Sequence, residues 1–184
     1  MRPRASIRRR IALLTTGAGL ALMAFAVFAK PEPRLVWNGS ASVPRGLYWI
    51  ENRPPQRGDL VLARAPDAAL RLGVARGYLP SEMPVVKRLV GVEGDEICRL
   101  GRVVSVNGRG VALAQLRDLE GRLMPSWRGC VQLSEGEVLL LADHPRSFDG
   151  RYWGKSDDAA ISGVAIPVRT FGVSAVGVSG GNKA

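Results

Sequence analysis

A chain of 184 residues leaves about 150 for one compact domain once roughly the first thirty are set aside for a membrane segment. The net charge of +10 raises nucleic acid as a partner, but Arg2, Arg4, Arg8, Arg9 and Arg10 supply half of it, directly before an uncharged run over 11–29. The remaining excess is mixed with Asp and Glu, with no nucleic-acid motif and no basic stripe interleaved with aromatics. No nucleic acid is therefore expected, and anionic lipid headgroups account for the charge.

The uncharged run over 11–29 spans roughly 28 Å as a helix at about 1.5 Å per residue, close to the hydrocarbon thickness of a bilayer. It is longer than the apolar core of about 7 to 15 residues found in cleaved leaders. With 1–10 as a basic segment on the cytoplasmic side, this layout follows the positive-inside rule and predicts an uncleaved transmembrane anchor. A cleaved leader is the alternative, because Ala24-Phe25-Ala26 and Val27-Phe28-Ala29 both match small-x-small cleavage sites, and Thr15, Thr16, Gly17 and Gly19 weaken the span. Either way the domain lies outside the cytoplasm. Pro31 and Pro33 make 30–34 a short stiff tether, and Ser42 is thirteen residues beyond Ala29, at most about 45 Å of extended chain. Trp37 and Trp49 suit a lipid interface.

The domain expected over 35–178 reads as mainly β. Short alternating runs broken by glycine predict strands over 47–51, 60–63, 85–92, 96–100, 102–106, 111–114, 138–142 and 163–168. Asn107-Gly108 between two of these runs marks a tight hairpin, since both residues tolerate positive φ. One helix is expected over 67–76, entered through Pro66-Asp67 and ended by Gly77. The small polar tail over 179–184 is expected to fray. Cys98 and Cys130 suit an oxidising compartment and would close a loop of about thirty residues as a disulfide. Two cysteines and a single histidine, His144, do not make a zinc site, so no metal is expected.

Three clusters carry candidate chemistry. Ser42 precedes Pro44 and Gly46, which force a turn and leave a hydroxyl on a bend; a plain turn or capping residue has the same appearance. Lys87 interrupts an apolar run, and strand alternation puts it on the face of Val85 and Leu89, which should be buried. Burial can lower a lysine pKa by up to about 3 to 5 units and leave free amine near neutral pH. The competing possibility is a lysine that snorkels along an edge strand. In Ser147-Phe148-Asp149-Gly150-Arg151, Asp149 and Arg151 can pair across a turn that is either functional or merely a surface bend. His144, in a loop, has no partner legible from sequence and is assigned no role.

Taken in order, the clusters resemble the type I signal peptidases, the serine/lysine family that removes leader peptides at the outer face of the membrane. The matching segments are the anchor, Ser42-x-Pro44-x-Gly46-Leu47-Tyr48, Arg57-Gly58-Asp59-Leu60-Val61, Val86-Lys87-Arg88-Leu89-Val90-Gly91 with Gly94-Asp95, and Ser147-x-Asp149-x-Arg151-Tyr152-Trp153-Gly154. The likeness is greatest to the conjugative-transfer branch, which processes pilin precursors. It rests on the short length, Asn38-x-Ser40-x-Ser42, Ala75-Arg76-Gly77-Tyr78-Leu79-Pro80 and Leu123-x-Pro125-x-Trp127-x-Gly129-Cys130. Val43 stands where methionine is usual, Glu93 replaces a common proline, and Ala142-Asp143-His144-Pro145-Arg146 replaces a Gly-Asp-Asn-rich segment.

The resemblance implies a signal-peptidase-like antiparallel β domain behind one transmembrane helix, on the periplasmic side of a bacterial inner membrane. It implies Ser42 as nucleophile, Lys87 as general base, the Ser40 hydroxyl and Ser42 amide as oxyanion donors, Ser147 as orienter of the lysine, and Asp149 with Arg151 as a buried supporting pair. The implied partners are a precursor with small residues before its cleavage site, the lipid bilayer, and the conjugation machinery; no cofactor is implied. A non-catalytic membrane-tethered β scaffold for pilus or secretion assembly is the rival from another class. A self-cleaving repressor is opposed by the anchor. Neither the precursor nor hydrolysis versus circularisation of the product is legible in the residues.

Overall fold

The computed structural model describes residues 4–29, 34–79 and 83–171, and the chain divides into two compact units, Met1–Pro33 and Arg34–Ala184. Positions 1–3 of the basic segment, 30–33 of the tether, the 172–178 end of the expected domain and the 179–184 tail lie outside the described residues.

The first unit is α1 (Arg4–Ala29), 26 residues long. It begins inside the basic segment rather than at Ile11, because arginine is a good helix former and nothing between Arg4 and Arg10 breaks the turn. Ile11, Leu13, Leu14, Leu20, Leu22, Met23 and Phe25 are all exposed on it. Among the described residues no helix is long and apolar enough to cross a membrane. The arginines occupy the start of α1, threonine and glycine dilute its middle, and its described side chains run only to Phe25, so the span expected over 11–29 is not established by it.

The second unit is mainly β, as its alternation predicts, with every strand pair antiparallel. Its strands are β1 (Leu35–Asn38), β2 (Arg45–Glu51), β3 (Leu60–Ala63), β4 (Val85–Gly91), β5 (Glu96–Leu100), β6 (Val103–Val106), β7 (Arg109–Leu113), β8 (Gly129–Gln132), β9 (Glu137–Leu141), β10 (Ser156–Asp157) and β11 (Ile161–Phe171). Seven form one sheet in the order β1-β2-β11-β3-β4-β9-β10, and four form a second in the order β7-β6-β5-β8. Two short helices complete the unit: α2 (Asp67–Ala75), at the expected place, and α3 (Gly150–Trp153), a single turn that the sequence pattern does not predict.

The expected strands are all present, with ends shifted by at most two residues except for β11, which runs three residues further toward Phe171 than the 163–168 pattern suggests. Its bulge between Pro167 and Arg169 lets the strand continue past a proline that cannot donate to the ladder. β1, β8 and β10 are unexpected strands: β10 has only two residues, and β8 is exposed at all four positions and so carries no inside-outside alternation. Asn107 and Gly108 have φ of 51° and 75°, giving the β6–β7 hairpin that this dipeptide signals. Cys98 and Cys130 face each other across β5 and β8 and are joined in a disulfide.

Two glycines fix how the chain approaches the central sheet. Gly46, the second residue of β2, has φ 149°, and a Cβ there would lie 2.1 Å from the Arg169 carbonyl oxygen of β11. A Cβ on Gly150, which opens α3, would lie 2.7 Å from the Leu140 carbonyl oxygen of β9. Any larger residue at either position has to push backbone apart.

The disulfide closes a loop of 32 residues in sequence separation, which loop-closure entropy values at about 3 to 4 kcal/mol. The Cys98→Ser, Cys130→Ser double variant is expected to melt well below the parent in thermal unfolding of the full chain in detergent. An unchanged melting temperature contradicts a structural role for the bond.

Candidate active site

The turn between β1 and β2 carries Ser40 and Ser42. Asn38, the last residue of β1 and nearly buried, organises it: its Nδ2 donates to the carbonyl oxygens of Ser40 at 3.1 Å, Val43 at 3.3 Å and Pro44 at 3.2 Å. Its Oδ1 accepts from the Ser40 amide at 3.2 Å and the Ser40 hydroxyl at 2.9 Å. One side-chain amide thus stands in for backbone partners that an irregular turn lacks. Tyr48, fully buried in β2, donates its hydroxyl to the Pro44 carbonyl at 2.6 Å and holds the far end. The result leaves Ser42 half-buried.

Lys87 sits in the middle of β4, opposite Val61 of β3, and is 1% exposed. It shares its face with Leu89, itself paired to Leu140 of β9, so alternation places the lysine as the sequence suggests and removes the snorkelling alternative. Its Nζ donates to Ser147 Oγ at 2.9 Å and lies 3.4 Å from Ser42 Oγ. The Ser147 hydroxyl in turn donates to Ser42 Oγ at 2.9 Å, closing a triangle of one amine and two hydroxyls. Burial pushes the Lys87 amine down to about 8; the Asp149 carboxylate opposes that shift and the Arg151 guanidinium assists it.

Ser147 belongs to the loop from Ala142 to Asp149, between β9 and α3. Asp149, fully buried, caps α3 through the Arg151 amide at 3.0 Å and accepts from the Ala142 amide at 2.9 Å, so it ties both ends of the loop. Arg151 meets it with Nε at 2.8 Å and Nη2 at 2.9 Å, and also donates to the carbonyls of Ala142 and Pro145, each at 2.8 Å. The expected supporting pair is therefore present as a two-pronged buried ion pair in which the guanidinium meets carbonyls as well as the carboxylate. It does not touch Lys87 by hydrogen bond; it shapes the loop that does.

Three contacts around Ser42 and Ser147 were not legible as site features. Arg88, next to the lysine, grips Asp143 with Nε at 2.8 Å and Nη2 at 2.7 Å. The His144 amide donates to the Ser42 carbonyl at 3.2 Å, so the residue without an assigned role links the two loops through its backbone. Asn38 is the third; its two-residue spacing to Ser40, which permits a side-chain-closed turn, was the available signal. The departure over 142–146 thus leaves the loop firmly held. The Ser42 amide points to Ser40 Oγ at 3.4 Å, which brings both expected oxyanion donors to the same edge of the site. A cleft of about 580 Å³ opens beside these residues, floored by Tyr78, Phe148 and Tyr152.

The family described as signal peptidase, peptidase S26, matches residues 7–169. The chain is 34% identical over 145 residues to a plasmid transfer protein TraF of Escherichia coli, covering 73% of this chain and 82% of that protein. To a second plasmid transfer protein TraF of Escherichia coli it is 32% identical over 180 residues, covering 90% and 98%. To a conjugal transfer protein TraF of Agrobacterium fabrum it is 32% identical over 145 residues, covering 73% and 81%. The crystal structure of a signal peptidase I from Enterococcus faecalis is similar at 22% identity and a TM-score of 0.38, over 62% of this chain and 98% of that one. With a match that takes in nearly every described residue of both units, the chain belongs to the signal peptidase family, peptidase S26.

Proposed function

We propose that this protein is a serine endopeptidase that cleaves leader peptides from exported precursors through a Ser42/Lys87 dyad and an acyl-enzyme. The observation that carries the reading is the Lys87 amine, 1% exposed and 3.4 Å from Ser42 Oγ, with Ser147 bridging the two at 2.9 Å on each side. In the neutral state its lone pair accepts the Ser42 proton as Oγ attacks the scissile carbonyl. The resulting ammonium then gives that proton to the departing amine, and the amine of Lys87 next draws a proton from the water that frees the acyl group. Oxyanion charge falls to the Ser42 amide and the Ser40 hydroxyl, and such a donor contributes about 3 to 4 kcal/mol. A non-catalytic scaffold leaves a desolvated amine beside a serine without a use.

The names of the relatives place them in conjugal and plasmid transfer, and the substrate we propose is a pilin or related transfer protein. Membrane attachment through α1 fits the same role: its apolar side chains are exposed all round, as in a helix that has lipid for a partner, and arginines precede them. The catalytic unit then lies on the extracytoplasmic side.

Cleavage of a fluorogenic peptide with alanine at the first and third positions before the bond, by the full chain in detergent, is expected to disappear in Ser42→Ala and in Lys87→Ala while circular dichroism stays unchanged. Full activity in folded Lys87→Ala refutes the dyad. The pH profile follows from the direction of the lysine shift. Only the free amine accepts a proton, so kcat/KM is expected to rise through a midpoint near 8 and to fall about tenfold for each unit below it. The same burial makes charging Lys87 a stability cost that is complete below about 8 and absent above its ordinary value of 10.5. A flat profile from pH 5 to 9 contradicts the assignment.

A further inference from the structure

Arg99 lies in β5, on the same face as Ile97, and is 3% exposed. Its strand neighbours are Val104 of β6 and Gly129 of β8, and the face it shares packs the core of Ile97, Val104, Val106 and Leu139. Among the described residues it meets no carboxylate. Its bonds are to carbonyls alone: Nη1 donates to Arg151 at 2.6 Å and to Pro125 at 3.3 Å, and Nε donates to Gly101 at 3.3 Å. A guanidinium without a counter-ion inside a core is costly, and an aliphatic residue would fill the same strand position without that cost. What the guanidinium supplies is a rigid fork of donors, of which Nη1 joins the Pro125 and Arg151 carbonyls while Nε holds that of Gly101.

The segments of Pro125 and Arg151 both lead to the site. Arg151 and Gly150 are the first residues of α3, directly after the loop that holds Ser147. The Gly150 carbonyl accepts from Trp127 Nε1 at 3.0 Å, and Trp127 belongs to the same 125–129 stretch whose Pro125 carbonyl Arg99 grips. That stretch runs into Cys130, which the disulfide fixes to Cys98, the residue before Arg99. The second sheet therefore reaches the back of α3 through two donors on a covalently closed frame, while the Asp149–Arg151 pair faces the loop from inside.

We propose that Arg99 and Trp127 are positioning residues for the reaction: together they clamp the first turn of α3, and through it hold Ser147 within 2.9 Å of both Lys87 Nζ and Ser42 Oγ. The inference rests on the serine/lysine reading above. Loosening the clamp lets the Ser147 loop drift and admits water to the amine, which relaxes the burial that depresses its titration. Both consequences act on catalysis: less free amine, and a poorer bridge.

The test uses the full chain in detergent with carbon-13 at the lysine Cε, a spectrum with only four lysines to assign, Lys30, Lys87, Lys155 and Lys183. Arg99→Lys keeps the charge and loses the fork; Trp127→Phe keeps the ring and loses the donor. In each, the Lys87 titration midpoint is expected to move upward by about half a unit or more, a threefold or greater loss of free amine at neutral pH. Turnover of the alanine-containing peptide is expected to fall about tenfold, with KM little changed, since misplacement of about 1 Å can cost still more. Midpoint and turnover unchanged in both variants, with only the melting temperature lowered, reduce the clamp to ordinary packing and overturn the proposal. The titration needs no cleavage and so reads the clamp on its own, whereas a chain in which Ser42→Ala changes nothing defeats the peptidase reading and with it the clamp's part in the reaction.

Discussion

Everything at this site follows from placing a lysine amine in the interior of a β-sheet. Desolvation favours the neutral form and is the largest influence on Lys87; the Asp149 carboxylate opposes it and the Arg151 guanidinium counters part of that opposition. Asp149 alone would draw a proton onto Lys87 and keep it cationic; bonded to Arg151 through both carboxylate oxygens, it presents little net charge. The ion pair thus has an electrostatic task beside its geometric one. It ties the Ser147 loop without charging the amine that Ser147 contacts. The remaining polar need of the amine is met by two hydroxyls, neither of which stabilises an ammonium as strongly as a carboxylate would. Among the described residues no buried side-chain nitrogen or oxygen lacks a partner, so this polar cluster sits in the core without an orphaned group.

The sheet order explains how residues 45, 60 and 105 positions apart meet. β4 lies between β3 and β9, so the lysine, paired to Val61 of β3, sits on an inner strand with no sheet edge along which to escape. β9 then delivers the chain directly into the Ser147 loop, while β2, two strands beyond β3, begins at the serine turn. Gly46 and Gly150 occupy the two places where those entering segments press against backbone. Their absent side chains are what allow two loops from distant parts of the chain to close on one amine. The Arg88–Asp143 grip and the His144 amide to Ser42 carbonyl bond then lock the loops to β4 and to each other.

Much of this is legible in the residues because it is local. Lys87 interrupting an apolar run points to a buried amine, Asn107-Gly108 points to a hairpin, and the Ser147-x-Asp149-x-Arg151 spacing permits a pair, since each signal is carried within a few positions. Strands that alternate between core and solvent are visible for the same reason. β8 is not: with all four positions exposed, it owes its place to the ladder with β5 and to the disulfide rather than to a pattern of its own. α3 escapes notice because a single turn is too short for any periodicity, and its start is fixed by an aspartate cap that also reads as a bend. Asn38, Arg88 and Asp143 are hidden for a different reason. A polar residue shows its chemistry in the sequence but not its partner: Arg88 and Asp143 meet only in the completed sheet, and Asn38 finds its partners only when its own turn closes on it. Arg99 is the extreme case, since a guanidinium among aliphatics in a strand looks like an exposed position until the second layer covers it.

The two halves of the site differ in how far they are prepared. In the proposed dyad the base half is assembled: the Lys87 amine and the Ser147 and Ser42 hydroxyls are in contact, and their supports are buried. In the oxyanion half the Ser40 hydroxyl is given to Asn38 and the Ser42 amide leans on Ser40 Oγ at a long 3.4 Å. A developing oxyanion competes with a neutral amide oxygen for the Ser40 proton, and a charged acceptor wins that competition. The exchange needs only rotation about one side-chain bond, because Asn38 keeps its three carbonyl contacts and its bond from the Ser40 amide, so the turn does not have to move. Ground-state carbonyl oxygen lacks the charge to drive the same switch. In the proposed reaction, an oxyanion half arranged in this way would hold the transition state more tightly than the substrate, which is the condition that acceleration requires.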